Sequence, residues 1–160
     1  MRAARKIALA LAIVTLLAAP MLASAQLVDK KALTLEAAKR IAAAAEAEAR
    51  KNSWTMVIAI VDEGGHLMYL ERIDETQTGS IRIAVEKARS AVAFKRPTKV
   101  WEDALAGGRQ AILGVHGAVP IEGGVPLMAG NKVIGAIGVA GGSTAQDGQV
   151  AKAGAEILPK

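Results

Sequence analysis

Two histidines, His66 and His116, are the side chains of this sequence best suited to ligate a metal or carry a proton near neutral pH. His66 follows the turn Asp62-Glu63-Gly64-Gly65, so Asp62 and His66 flank one turn and can lie close together. His116 sits in the glycine-flanked string Gly114-Val115-His116-Gly117. Neither histidine has a second one, or a carboxylate, at the H-E-x-x-H spacing, and cysteine is absent, which argues against a closed zinc site. An imidazole standing alone can still serve as the axial ligand of haem iron, so either histidine is a candidate. Arg96 and Lys99 flank Pro97-Thr98, where they are either solvated or available to the carboxylates of a porphyrin.

Other chemistries leave no trace. There is no G-x-x-x-x-G-K-[ST] string and no G-x-G, so neither a P-loop nor a dinucleotide fingerprint is present. Gly142-Ser143-Thr144 follows a strand-like run and opens a helix, but it lacks the G-x-S-x-G pattern of a nucleophile elbow. Ser143 reads as a helix cap, and the amides of Gly141-Gly142-Ser143 form a candidate seat for a small carboxylate or phosphate.

The elements that position these residues follow from periodicity. Leu35, Ala38, Ile41, Ala42, Ala45 and Ala49 recur at helical spacing behind Thr34, a natural N-cap. Met56 to Val61 reads as a buried strand, and His66 to Ile73 as the returning strand of a hairpin. Ile81, Ala84, Val85, Ala88, Ala91 and Val92 predict a second helix over Ser80–Phe94, and Thr98 is placed to cap a short one running to about Ala106. A strand is expected at Val125–Ala129, with a weaker one at Ala118–Ile121. Gly130-Asn131 then turns the chain into a strand over Lys132–Ala140, and a last helix runs to about Leu158. Neighbouring hairpins with separate helices predict an α+β domain built on an antiparallel sheet.

The first 25 residues stand apart. Arg2, Arg5 and Lys6 precede an apolar run from Ile7 to Ala19, and Ala23-Ser24-Ala25 supplies the small residues of a cleavage site. That order is the layout of a secretory signal peptide, and its 13-residue apolar run falls short of the ~20 residues that span a bilayer. The expected organisation is therefore a leader over 1–25 and a single domain over 26–160, exported to a periplasm or an extracellular space. No stable membrane insertion is expected after cleavage. Removing the leader reduces the 20 Lys and Arg to 17, against 15 Asp and Glu. That near-balance, with aromatics at 2%, excludes the basic patches and stacking rings of a nucleic-acid binder. Hydrophobic residues at 52% exclude disorder.

Several blocks taken together resemble one family. Val61-Asp62-Glu63-Gly64-Gly65-His66-Leu67 with Arg72-Ile73-Asp74 resembles the first hairpin of the GlcG/HbpS haem-binding proteins. Lys87-Ala88-Arg89-Ser90-Ala91 with Phe94 and Pro97-Thr98 resembles their central helix. Gly123 to Leu127, Ile134 to Gly142 and Gln146-Asp147 resemble their C-terminal half. The resemblance spans about residues 33–158 and implies a profilin-like α-β-α domain that self-assembles into homo-oligomers and binds haem. Some members degrade haem or pass a redox signal, and the same module is fused to corrinoid adenosyltransferases. The haem-site candidates are His66, His116, Thr98 and Arg96; His66 and Thr98 fall in matching motifs and His116 does not, so the resemblance favours His66 as the metal ligand. The alternative functions are an enzyme or accessory subunit acting on a small carboxylate, or a structural partner of a receptor. The alanine-rich helix faces and the glycines of the last strand also suggest surface that another subunit covers.

Overall fold

The computed structural model describes residues 27–158. The leader and cleavage site expected over residues 1–25 lie outside the described residues. Contacts divide the chain into one unit over 1–30 and a compact unit over 31–160, and everything below concerns the second. Its first helix, α1 (Leu35–Lys51), starts as the sequence indicates: the Thr34 hydroxyl accepts the Ala37 amide at 3.1 Å. Strands β1 (Val57–Asp62) and β2 (Leu67–Arg72) form a hairpin, followed by α2 (Ser80–Phe94) and the short α3 (Lys99–Ala106). A 3₁₀ turn over Gln110–Gly114 leads to the hairpin of β3 (Gly124–Ala129) and β4 (Lys132–Ala140), and α4 (Thr144–Ala155) ends the fold.

The four strands make one antiparallel sheet in the order β2-β1-β4-β3. Side chains of a strand alternate between faces, and here both faces of the two central strands are covered. Ile58, Ile60, Ile137 and Val139 pack with Ile41, Ala45, Val150 and Ala151 of α1 and α4. On the other face Val61 and Ala136 meet Ala88, Ala91 and Val92 of α2, and Val57 and Ala59 meet Ala84. The molecule is thus layered, with α1 and α4 on one side, the sheet between, and α2 on the other.

Glycine sets the depth at which α2 sits. A Cβ at Gly138 would collide with the Ala84 carbonyl and come within 2.6 Å of the Ala88 nitrogen. The helix therefore lies on bare β4 backbone. Pro126 lies on the edge strand β3, the position a strand proline requires because it has no amide hydrogen to give to a ladder.

Three expectations are corrected. Ala118–Ile121 is not a strand: Pro120 interrupts it, and the Val119 amide donates to the Ser90 hydroxyl at 3.0 Å rather than to a ladder. The last helix stops at Ala155, before Leu158. The alanines Ala38, Ala42, Ala45 and Ala49 are wholly buried inside the chain, so they leave no open face for another subunit.

Candidate functional site

The hairpin turn between β1 and β2 carries His66. Asp62 ends β1, and its Oδ1 accepts the amides of Gly64 at 2.8 Å and His66 at 2.9 Å. Its Oδ2 lies 3.2 Å from His66 Nδ1. Burial raises the Asp62 carboxyl, but the two amides and the imidazole outweigh it and hold it below the usual carboxylate range. Gly65 turns the chain at φ +81°, a conformation that glycine adopts without strain, and its carbonyl accepts Arg89 Nε of α2 at 3.2 Å. The sequence reading that placed Asp62 beside His66 agrees with this geometry.

The His66 side chain is 82% exposed, at the mouth of a cleft of about 350 Å³ lined by Glu63, Gly64, Gly65, Arg89, Val92 and Ala93. One wall is the hairpin turn and the other is the C-terminal half of α2. Arg89 reaches the site although the reading of single residues passed over it. It appeared only inside the family-like block Lys87 to Ala91, and its place one helical turn before Val92 and Ala93 was the available signal. Arg89 also pairs with Glu86 at 3.0 Å, the partner that the four-residue spacing would have given to Arg82.

The other candidates lie elsewhere. Thr98 is fully buried, and its hydroxyl oxygen accepts the Gly124 amide at 2.9 Å while its own amide donates to the Gly124 carbonyl at 3.0 Å. It ties the start of α3 to β3 and makes no side-chain capping bond, contrary to the expected cap. Any ligand taken by that oxygen competes with the buried Gly124 amide. Arg96 is exposed and lies over the Trp101 ring, 5.2 Å from its centroid, with Nε donating to the Phe94 carbonyl at 3.1 Å. Phe94 meets Trp101 edge-on at 5.1 Å. His116 is exposed in the loop after the 3₁₀ turn. None of these three lines the His66 cleft.

The glycine-rich seat for an anion is spent on the protein itself. The Gly142 amide donates to Asp147 Oδ1 at 3.0 Å, and the Ser143 amide to Gln146 Oε1 at 2.9 Å. Ser143 returns the bond to the Gln146 amide, which completes a capping box. Asp147 also holds the buried Lys87, whose Nζ lies 2.7 Å from Oδ2 and 3.1 Å from the Val139 carbonyl. This pair, 1% and 5% exposed, was not singled out as a pair in the sequence, because 60 residues separate its members. Burial still raises the Asp147 carboxyl against the pull of Lys87 and the amides.

A second cleft, about 290 Å³, opens between Pro97, Lys99 and Val100 on one side and Glu122, Gly148 and Lys152 on the other. Glu122 lies across Gly148 with its carboxyl raised by burial and by the nearby carboxylates of Glu102 and Asp103, against the pull of Lys99 and Lys152. Among the described residues, no three or more metal-ligating side chains cluster, and no helix is long and apolar enough to cross a membrane.

The chain is thus a three-layer α+β domain in which the Asp62–His66 turn and Arg89 line one small cleft. A family model described as haem-degrading protein, HbpS-like, matches residues 33–156, and the chain belongs to that family. Protein GlcG of Escherichia coli K12 is 43% identical over 110 residues, covering 69% of this chain and 82% of GlcG. A double Glu-to-Asp variant of HbpS from Streptomyces reticuli superimposes with a TM-score of 0.77 at 34% identity, over 89% of this chain and 99% of that one. A structure described as a PduOC:haem complex aligns with a TM-score of 0.72 at 26% identity, over 80% and 96% of the two chains.

Proposed function

We propose that this chain is an exported haem-binding protein that scavenges or buffers haem, with the site at the His66 cleft of a single domain over 26–160. The observation that carries the reading is the exposed His66 imidazole in a cleft that Arg89, Val92 and Ala93 also line. The donor set fits haem in kind: a nitrogen ligand for iron, a guanidinium for a propionate and apolar carbon for the ring. It fits only in part in size. A volume of about 350 Å³ is at the low end of the ~300–1,000 Å³ range of ligand pockets, so one protomer covers one portion of a porphyrin. The rest of the cover comes from a second copy, which accords with the self-assembly expected of the family.

Haem, when bound, supplies an iron with a strong Soret absorbance and accessible redox states. This chain's own residues bind and orient it: His66 holds the metal, Arg89 a propionate, and Val92 and Ala93 exclude water from one face. Arg96 lies beyond the end of α2 and would reach a propionate only by leaving Trp101. The small-carboxylate alternative loses its seat, because the amides of Gly142 and Ser143 already have acceptors.

Titration of hemin into the purified protein tests the reading. A saturable, protein-specific Soret band at micromolar concentration is expected, moved in His66→Ala and unmoved in His116→Ala. No saturable band in the wild type would remove haem as the ligand. A band identical in both histidine variants would remove His66 as its iron ligand.

A further inference from the structure

We propose that Asp62 is the positioning residue of the His66 site: it fixes the neutral imidazole in the one tautomer whose Nε2 is bare. The use of that nitrogen for haem rests on the function proposed above, but the tautomer is a property of the protein alone.

The argument begins with the carboxylate. Asp62 Oδ1 accepts two backbone amides, from Gly64 and His66, at 2.8 and 2.9 Å. Those bonds fix the rotation of the carboxylate and leave Oδ2 facing His66 Nδ1 at 3.2 Å. An ionised carboxylate only accepts hydrogen bonds, so in a neutral ring the shared proton sits on Nδ1 and the lone pair on Nε2. Gly64 is part of the same device. A Cβ there would stand 2.7 Å from His66 Cε1 and 2.8 Å from Nδ1, so only a glycine lets the ring lie over the turn. Arg89 tethers the turn from outside through the Gly65 carbonyl. A metal-ligating histidine ordinarily gives its other ring N–H to such an acceptor, which fixes both ring orientation and basicity.

The two amides also dictate what a nearly isosteric change does. In Asp62→Asn the carboxamide oxygen must remain where Gly64 and His66 donate. The NH₂ group then takes the place of Oδ2 and donates to Nδ1. The ring proton moves to Nε2, and the ligating lone pair is gone. Fold and turn are kept, because the change adds no atoms beyond hydrogen and retains both backbone bonds.

The test is ¹⁵N-edited NMR of the imidazoles in the haem-free full protein above neutral pH, with His66→Ala assigning the signals. Wild type is expected to show Nδ1–H and bare Nε2 at His66, and Asp62→Asn the inverse. Hemin titration then completes the cycle, with Asp62→Asn expected to bind about 10- to 100-fold more weakly, the usual cost of losing such a partner. Finding Nε2–H in the wild type, or no change of tautomer in Asp62→Asn, overturns the proposal. An inverted tautomer with unchanged hemin spectrum and affinity upholds the positioning role and overturns His66 as the iron ligand, so the two failures are told apart.

Discussion

Replacing Asp147 with Ala strands a lysine inside the protein. Lys87 is 1% exposed, and without Asp147 its ammonium keeps only the Val139 carbonyl at 3.1 Å. The Gly142 amide loses its acceptor at the same time. Breaking one half of a buried ion pair costs about 3–5 kcal/mol, a large part of the ~5–15 kcal/mol that holds a domain of this size together. At roughly 3–4 °C per kcal/mol, the melting temperature should fall by about 10–20 °C. Lys87→Met removes the ammonium and leaves Asp147 its backbone donors Gly141 and Gly142, and protonation lets the carboxyl stay buried; about 3 kcal/mol is expected. The double variant has no stranded charge and leaves the Val139 carbonyl and the Gly141 and Gly142 amides without these partners, so it should be about 2 kcal/mol more stable than the two single losses added together. Urea unfolding followed by Trp54 and Trp101 fluorescence measures all four proteins. A loss under 1 kcal/mol in Asp147→Ala, or strict additivity in the cycle, would refute the reasoning that the pair is dry and mutually dependent.

Thr98→Val should cost about 1–3 kcal/mol in the same unfolding assay, because it leaves the buried Gly124 amide without its acceptor. Gly138→Ala should cost more than ~3 kcal/mol or prevent folding, since backbone of α2 occupies the space; Gly130→Asn, in an open turn at φ +63°, should stay within ~1 kcal/mol of wild type. Burial raises the Glu122 carboxyl, so the fold prefers its protonated form and loses stability as pH rises from the ordinary glutamate range toward the raised value. Glu122→Gln should therefore be at least as stable as wild type at neutral pH, with its advantage gone below about pH 4, as read from midpoints across pH. Arg89→Gln should loosen hemin several-fold without moving the Soret maximum, because the guanidinium addresses a propionate and not the iron.

The regular elements were legible because they obey a period. The continuous run of branched residues from Met56 to Val61 and the helical spacing of Ala84, Ala88 and Ala91 survive in the structure nearly residue for residue. What failed was local and polar. Thr98 looked like a cap, but a hydroxyl has several acceptable partners and the buried Gly124 amide took it. Gly141-Gly142-Ser143 looked open because the sequence does not show that Asp147 and Gln146 fold back onto those amides. The Asp62–His66 contact was readable since four residues across a glycine turn leave little freedom. Arg89 was hard to read because its contact with Gly65 spans 24 residues. The alanines were misread in a different way: small side chains signal close approach, and here the partners are the chain's own last helix and sheet.

The two outer strands of the sheet are chemically unlike. Pro126 takes one donor away from the free edge of β3, whereas β2 runs Leu67–Arg72 without a proline. A further strand can therefore be hydrogen-bonded in full only beside β2. Two copies meeting there about a two-fold axis would make an eight-stranded sheet that ends in β3 on both sides, with neither end offering a complete ladder. What the proline confers is an asymmetry between the two edges: the β3 edge offers one donor fewer to an added strand than the β2 edge does.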